Sequence, residues 1–188
     1  MKTAIAHIKS SGPYSQSKHY SKEEFPMLDK EGNAAYEKRT WRERCHANEK
    51  GQILIPPMAF KNCIAECAQF LGEKIPGKRN ATWTKHFLAG ILVTDPLVLP
   101  DKKSEIVGEW FFVPSDGKKG SGSRVDKCFP VVKQWEGKVT FLVLDETITE
   151  AAFTHHLEEA GKFIGLGRFR PRNGGFYGRF EVVDVKWK

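Results

Sequence analysis

Cysteine is scarce in this chain, with four in 188 residues, and a protein of this length does not need a disulfide framework to hold its core. No two of the four are spaced as zinc ligands usually are. Cys63 and Cys67 lie four apart on a predicted helix, Cys45 and His46 lie upstream and Cys128 far downstream. Burial as free thiols is therefore the expectation, with no metal site. Also missing is any apolar run of membrane-spanning length, and the opening MKTAIAHIKSSG lacks the apolar core of a secretion signal. The expectation is a cytosolic protein with no membrane partner, and no residue pattern calls for a cofactor. Acidic residues are in the minority, 23 against 30 Lys and Arg, for a formal charge of +7. That balance favours a polyanionic partner. Apolar residues make up 40% of the chain, enough for one globular domain.

Most of the excess positive charge lies at the C-terminal end, where seven cations from Lys162 to Lys188 face only Glu181 and Asp184. Within it, Gly165 to Phe180 reads GLGRFRPRNGGFYGRF, with five glycines, four arginines and four aromatics in sixteen positions. Glycine lets a backbone approach another molecule, arginine presents a fork that fits phosphate, and aromatic faces accept unstacked bases. The stretch reads as a nucleic-acid loop. Arg168, Arg170, Arg172 and Arg179 are its candidate phosphate ligands. Gly165, Gly167, Gly174 and Gly175 are the points of close approach, and Phe169, Phe176 and Tyr177 the base-stacking side chains.

Around that loop the chain has a regular order. Thr3–Lys9 alternates Ala4, Ala6 and Ile8 with Thr3, Ile5 and His7, which predicts a central strand apolar or small on both faces. Residues 14–50 form a long polar excursion in which Lys38, Arg39, Trp41, Arg42 and Arg44 interleave cations with an aromatic. Gln52–Ile55 leads through Pro56 and Pro57 into a helix with Phe60, Ile64, Cys67 and Leu71 on one stripe and Met58 and Cys63 beside it. Lys61 and Asn62 stand at its exposed start, facing whatever binds the loop. Thr82–Val93 reads as a second strand covered on both faces, and Ile106–Val113 as a third. Ser115–Arg124, with Lys118, Lys119 and Arg124 and no apolar anchor, is a hairpin tip. After the strand Val139–Leu144, Thr147 and Glu150 predict a capping box. The helix behind it carries Ile148, Ala152, Phe153, Leu157, Ala160 and Ile164 on its stripe, with His155 and His156 on or near its flank in solvent-facing or cap-like roles. The last strand, Tyr177–Trp187, switches apolar register at Val182-Val183, which predicts a bulge.

Without the excursions the order is strand, helix, strand, hairpin, strand, helix, strand. That is an α+β, ferredoxin-like (RRM-like) βαββαβ domain spanning residues 1–188, with an insertion at 14–50 and a hairpin insertion at about 108–135. Two motifs point further. Ile55-Pro56 with Phe60-Lys61 is similar to an Ile-Pro…Lys-Gly signature, and Gly165-Leu-Gly167-Arg168 through Gly174-Gly175-Phe-Tyr-Gly178-Arg179 is similar to a glycine-rich loop between second helix and last strand. On these the chain resembles the RAMP superfamily, the RNA-binding proteins of CRISPR systems, and most of all the backbone subunits that line guide RNA. It departs where Pro57, Met58 and Ala59 replace the glycine and small hydroxyl residues usual after Ile-Pro, and it is short for such a subunit.

The resemblance implies a non-enzymatic protein that assembles side by side along a single-stranded, guide-like RNA, with other CRISPR-complex subunits as further partners. Residues 14–50 would be a finger-like insertion. The tip with Lys118, Lys119 and Arg124 would be a thumb-like hairpin, and Lys61 would touch the RNA backbone. Two other classes stay open. One is an endoribonuclease, for which His19, His46 and Asp29 are the candidates; the other is a phage-encoded fold mimic that inhibits or caps a CRISPR complex.

Overall fold

The computed structural model describes every residue except Asp116, Lys118, Lys119 and Ser121. Its centre is β1 (Lys2–Ser10), whose alternation sends Ala4, Ala6 and Ile8 into the core and leaves Thr3, Ile5 and His7 half-buried on the other face. Antiparallel to β1 on one side lies β8 (Glu136–Val143), and on the other β9 (Phe180–Trp187). The short β4 (Ile91–Val93) completes the sheet beyond β8, for an order of β4-β8-β1-β9. Two helices belong to the fully buried face, α2 (Pro57–Leu71) and α4 (Glu150–Glu159). Phe153 of α4 meets Phe141 of β8 at 5.2 Å and Trp187 of β9 at 5.6 Å between ring centroids. In chain order β1, α2, β4, β8, α4 and β9 make the ferredoxin-like α+β unit. Only one face of β1 is fully covered, where its apolar and small residues predict cover on both.

The predicted bulge is present: His7 faces Asp184 and Ile8 faces Val182, so Val183 has no partner on β1. A bulge also twists the exposed edge of β9 away from pairing with another strand.

Thr82–Val93 is not a strand. It forms α3 (Thr84–Ala89) and then the three residues of β4. Trp83 and Phe87, four apart, are both buried, which is helical spacing. Gly90 ends the turn, its N–H donating to the His86 carbonyl at 2.7 Å. A Cβ at Gly90 would collide with Asp145. A strand without a counterpart in the sequence pattern, β5 (Leu97–Lys102), pairs with β3 (Gln52–Ile55) and buries Leu97 and Leu99.

The cap of α4 is Thr149, whose hydroxyl accepts from the Ala152 N–H at 3.2 Å, and not Thr147. Thr147 instead donates its N–H to Asp145 at 2.9 Å, within the turn before the helix. The two histidines of this helix part company. His155 is exposed and pairs with Glu73 at 3.0 Å, whereas His156 is fully buried and stacked on Phe87 with centroids 4.4 Å apart. Beyond Glu159 the helix widens into a π turn, Ala160–Ile164. Gly161 there is pressed against the carbonyl of Phe180, so any side chain would push the helix end off β9.

The insertions share one smaller sheet. β6 (Val107–Pro114) and β7 (Arg124–Val132) make the hairpin, with β2 (Tyr14–Ser15) added beside β7. The excursion after β2 holds α1 (Asn33–Thr40) and a 3₁₀ turn, Trp41–Arg44. It is anchored to the hairpin by Arg44, which grips Glu37 at 2.6 and 3.1 Å and the Cys128 carbonyl at 3.1 Å. All four cysteines are buried. Burial pushes the Cys45 and Cys128 thiols up to about 11 and Cys67 to about 12, and raises Cys63 as well. No helix among the described residues is long and apolar enough to cross a membrane.

Candidate nucleic-acid interface

The glycine-arginine stretch follows the π turn and stands between two walls, α2 on one side and the β2-β7-β6 sheet on the other. Its shape is set by its own backbone. Leu166 N–H donates to Gly178 at 2.9 Å, Tyr177 N–H to Phe169 at 3.0 Å and Gly175 N–H to Arg170 at 3.1 Å. A 3₁₀ turn, Pro171–Asn173, closes the end. Two further bonds tie the loop to the segment after β1: Gly178 N–H to the Pro13 carbonyl at 2.6 Å, and Arg168 N–H to the Ser15 carbonyl at 2.9 Å.

This closure uses most of the glycines. Gly178 has φ +73, and a Cβ there would overlap the Leu166 backbone; a Cβ at Gly175 would overlap the Phe169 carbonyl. Gly167 is crowded by Ser15 and Tyr14, and Gly165 by Pro171. Gly174 alone of the five has open space around it. Four glycines therefore let the chain approach itself, a role that composition did not separate from approach to a ligand.

On the sheet side, Phe169 packs on Phe111 at 4.8 Å and Tyr177 is buried, its hydroxyl donating to Glu109. Burial, helped by that carboxylate, pushes the Tyr177 phenol up to about 12. Of the three aromatics expected to stack on bases, only Phe176, 60% exposed, presents its face to solvent. Arg168 lies on the same side with its guanidinium 3.4 Å from the centre of Phe129 and 4.5 Å from that of Phe169. Its Nε is buried without a partner, and no carboxylate lies within ion-pair distance among the described residues. Burial, and then the nearby Arg44, bring its pKa down to about 10. It is a cation held in a half-dry site without an anion.

On the α2 side the loop and helix enclose an open cleft of about 660 Å³, lined from α2 by Ala59, Asn62, Glu66 and Gln69 and from the loop by Gly165, Gly167, Arg170 and Asn173. The Cys63 thiol fixes the floor, donating to the Gly165 carbonyl at 3.4 Å. Arg170 donates to Glu66 at 2.7 Å and Arg172 lies 3.3 Å from the same carboxylate. Arg172 also lies over Phe70, 5.5 Å from its ring centre, and Phe70 meets Phe163 at 5.9 Å. Both of those phenyl rings are about half exposed, 49% and 46%.

The remaining expected residues are placed as follows. Arg179 donates to the Lys162 carbonyl at 3.3 Å, within the π turn. Lys61 is half-buried next to Asn62 on α2. Arg124 opens β7, donating to the Phe112 carbonyl at 2.7 Å with its guanidinium over the Phe112 ring. Lys118 and Lys119 lie outside the described residues. His19 and Asp29 are exposed in the excursion. His46 lies further along, half-buried, with its pKa lowered by burial and by Lys18.

Sequence reasoning missed Glu66, Phe70 and Phe163. A signal for the first two was available: Asn62, Glu66 and Phe70 recur every four residues on the flank of α2 beside its apolar stripe. What it could not supply was the partner, since Arg170 lies 104 residues further on.

No protein-family model and no curated protein sequence matches the chain. Among solved structures, a chain described as "CRISPR RNA-guided surveillance complex" is similar at 9% identity and a TM-score of 0.39, over 98% of this chain and 68% of that one.

Proposed function

We propose that the glycine-arginine loop and the cleft beside α2 bind single-stranded RNA through its phosphates. On this reading the chain is a non-enzymatic subunit that assembles side by side on a guide-like RNA, within a CRISPR-type ribonucleoprotein. The observation that carries RNA binding is Arg168. A guanidinium half out of water and without a counter-ion gains more from a phosphate than a solvated one does. The loop backbone around it is already fixed by internal bonds, so binding orders little new chain. Phe176, and the half-exposed Phe70–Phe163 pair beside Arg172, offer aromatic faces on which unpaired bases can stack whatever their sequence. The assembly part of the reading rests on the sequence resemblance. It is supported by the exposed aromatics of the hairpin, Trp110 and Phe112.

The test is the pair Arg168→Gln with Arg170→Gln, measured by fluorescence anisotropy against labelled single-stranded RNA. Affinity should fall alike for all sequences, because arginine–phosphate bonds position the strand without reading bases. The slope of log affinity against log salt should shrink by about 0.7 for each phosphate that is no longer neutralised. Unchanged affinity and slope would reduce the loop to a turn.

A further inference from the structure

Of the Glu–Arg pairs in this molecule, two differ in kind. Glu37–Arg44 is buried on both sides, with side chains 9% and 8% exposed, and holds the excursion to the hairpin. Glu66, by contrast, reaches across the open cleft, its side chain 28% exposed, to Arg170 at 25% and Arg172 at 46%. The loop does not need Glu66 for its shape, which the backbone bonds of Leu166, Tyr177, Gly175 and Gly178 already set. Glu66 and Arg170 are the charged groups of the cleft lining among the described residues. A carboxylate that offers one oxygen to each of two arginines imitates a phosphate, which would offer its oxygens to the same donors.

We propose that Glu66 is an internal competitor for phosphate. Its carboxylate occupies Arg170 and Arg172 in the unliganded protein and is displaced when a nucleic-acid backbone enters the cleft. Glu66 thereby sets both the affinity of the site and its response to salt. The inference rests on the RNA-binding reading above. Because water reaches the pair, exchanging a carboxylate for a phosphate costs little, whereas a buried pair such as Glu37–Arg44 would resist it. Arg168, on the sheet side of the loop, has no such carboxylate among the described residues. Arg172 over Phe70 gives the exchange a further effect, since freeing Arg172 uncovers that ring for stacking. Salt screens the internal pair as well as the bonds to phosphate, so the wild-type protein loses affinity more gently with salt than a variant without the carboxylate.

The experiment measures full-length wild type, Glu66→Gln and Glu66→Asp against labelled single-stranded RNA of mixed sequence, at roughly 50 and 200 mM salt. Glu66→Gln should bind roughly three- to tenfold tighter at the lower salt, the scale of two exposed ion pairs removed as competitors, with a steeper salt slope. Glu66→Asp keeps the charge but withdraws it by one methylene, so it should show a smaller gain of the same sign. It also serves as the reporter if Glu66→Gln does not fold. Adding Arg170→Gln and Arg172→Gln to Glu66→Gln should abolish the gain. If wild type binds and the variants bind equally or more weakly with unchanged thermal midpoints, Glu66 only aligns the loop, and this inference fails while RNA binding stands. If no protein in the set binds RNA, both readings fall; if Glu66→Gln binds where wild type does not, the competitor is established directly.

Discussion

The guanidiniums of Arg168 and Arg44 both lie over the ring of Phe129, 3.4 and 5.1 Å from its centre, yet among the described residues only Arg44 has a carboxylate. Glu37 accepts from Arg44 with both oxygens and from the Cys128 N–H at 2.9 Å. Two like cations share one aromatic, and among the described residues one of them has no anion.

That asymmetry predicts opposite consequences for neighbouring substitutions. Glu37→Ala strands Arg44 in a buried site and should cost about 3–5 kcal/mol of stability, read as a lowered denaturant midpoint. Arg168→Gln should leave the midpoint nearly unchanged while RNA affinity falls. A large loss of stability in Arg168→Gln would make it a structural residue.

The closure of the loop predicts a contrast among its glycines. Gly178→Ala combines a positive φ with overlap on Leu166 and should cost about 2–4 kcal/mol. Gly174→Ala meets no atoms and bears only the strain of φ +80, about 1 kcal/mol. Chemical denaturation of the two variants checks it, and equal costs would contradict the internal role assigned to Gly178.

Buried His156 makes stability depend on pH. Its Nδ1 pairs with the Ala152 carbonyl at 2.7 Å, its Nε2 has no partner among the described residues, and burial lowers its pKa although the Ala152 bond and then Glu73 pull the other way and His155 adds to the shift. A lowered histidine pKa means that the unfolded chain binds the proton first. Stability should therefore decline as pH falls through the unfolded value near 6.5. His46, also lowered by burial, contributes in the same direction. Thermal midpoints between pH 8 and roughly 5.5 should drop, and drop less in His156→Phe; identical profiles would exclude His156 as a source.

Deleting Gly117–Gly122 should impair assembly on RNA more than folding. The pairing of β6 with β7 runs through Pro114 and Arg124 without those residues, and the segment contains no apolar side chain to bury. Light scattering with RNA and a thermal melt decide between the two. A sharp fall in midpoint with full-sized assemblies would make the tip part of the core.

Where the chain's own periodicity carries the information, the fold was legible. The stripe of Phe60, Ile64 and Cys67, the alternation of Ala4, Ala6 and Ile8, and the break at Val182-Val183 each have a direct structural counterpart. Thr84–Ala89 was not legible because a short apolar run suits strand or helix, and only burial of Trp83 and Phe87 on one side settles it. Nor was His156, because the ring it stacks on, Phe87, lies on another helix. In the candidate site, residue types were legible and their partners were not. Sequence identified the four arginines, but whether each faces a carboxylate, a carbonyl or an aromatic depends on α2 and the hairpin folding against the loop. The same limit hid the self-packing of Gly167, Gly175 and Gly178.

The most direct test is the state of the protein purified from cells at moderate salt, by absorbance ratio, ribonuclease sensitivity and size. The account predicts ribonuclease-sensitive nucleic acid in assemblies larger than a monomer, and its disappearance from a variant with Arg168, Arg170 and Arg172 all changed to Gln. A clean monomer that carries no nucleic acid and does not bind labelled single-stranded RNA would contradict it.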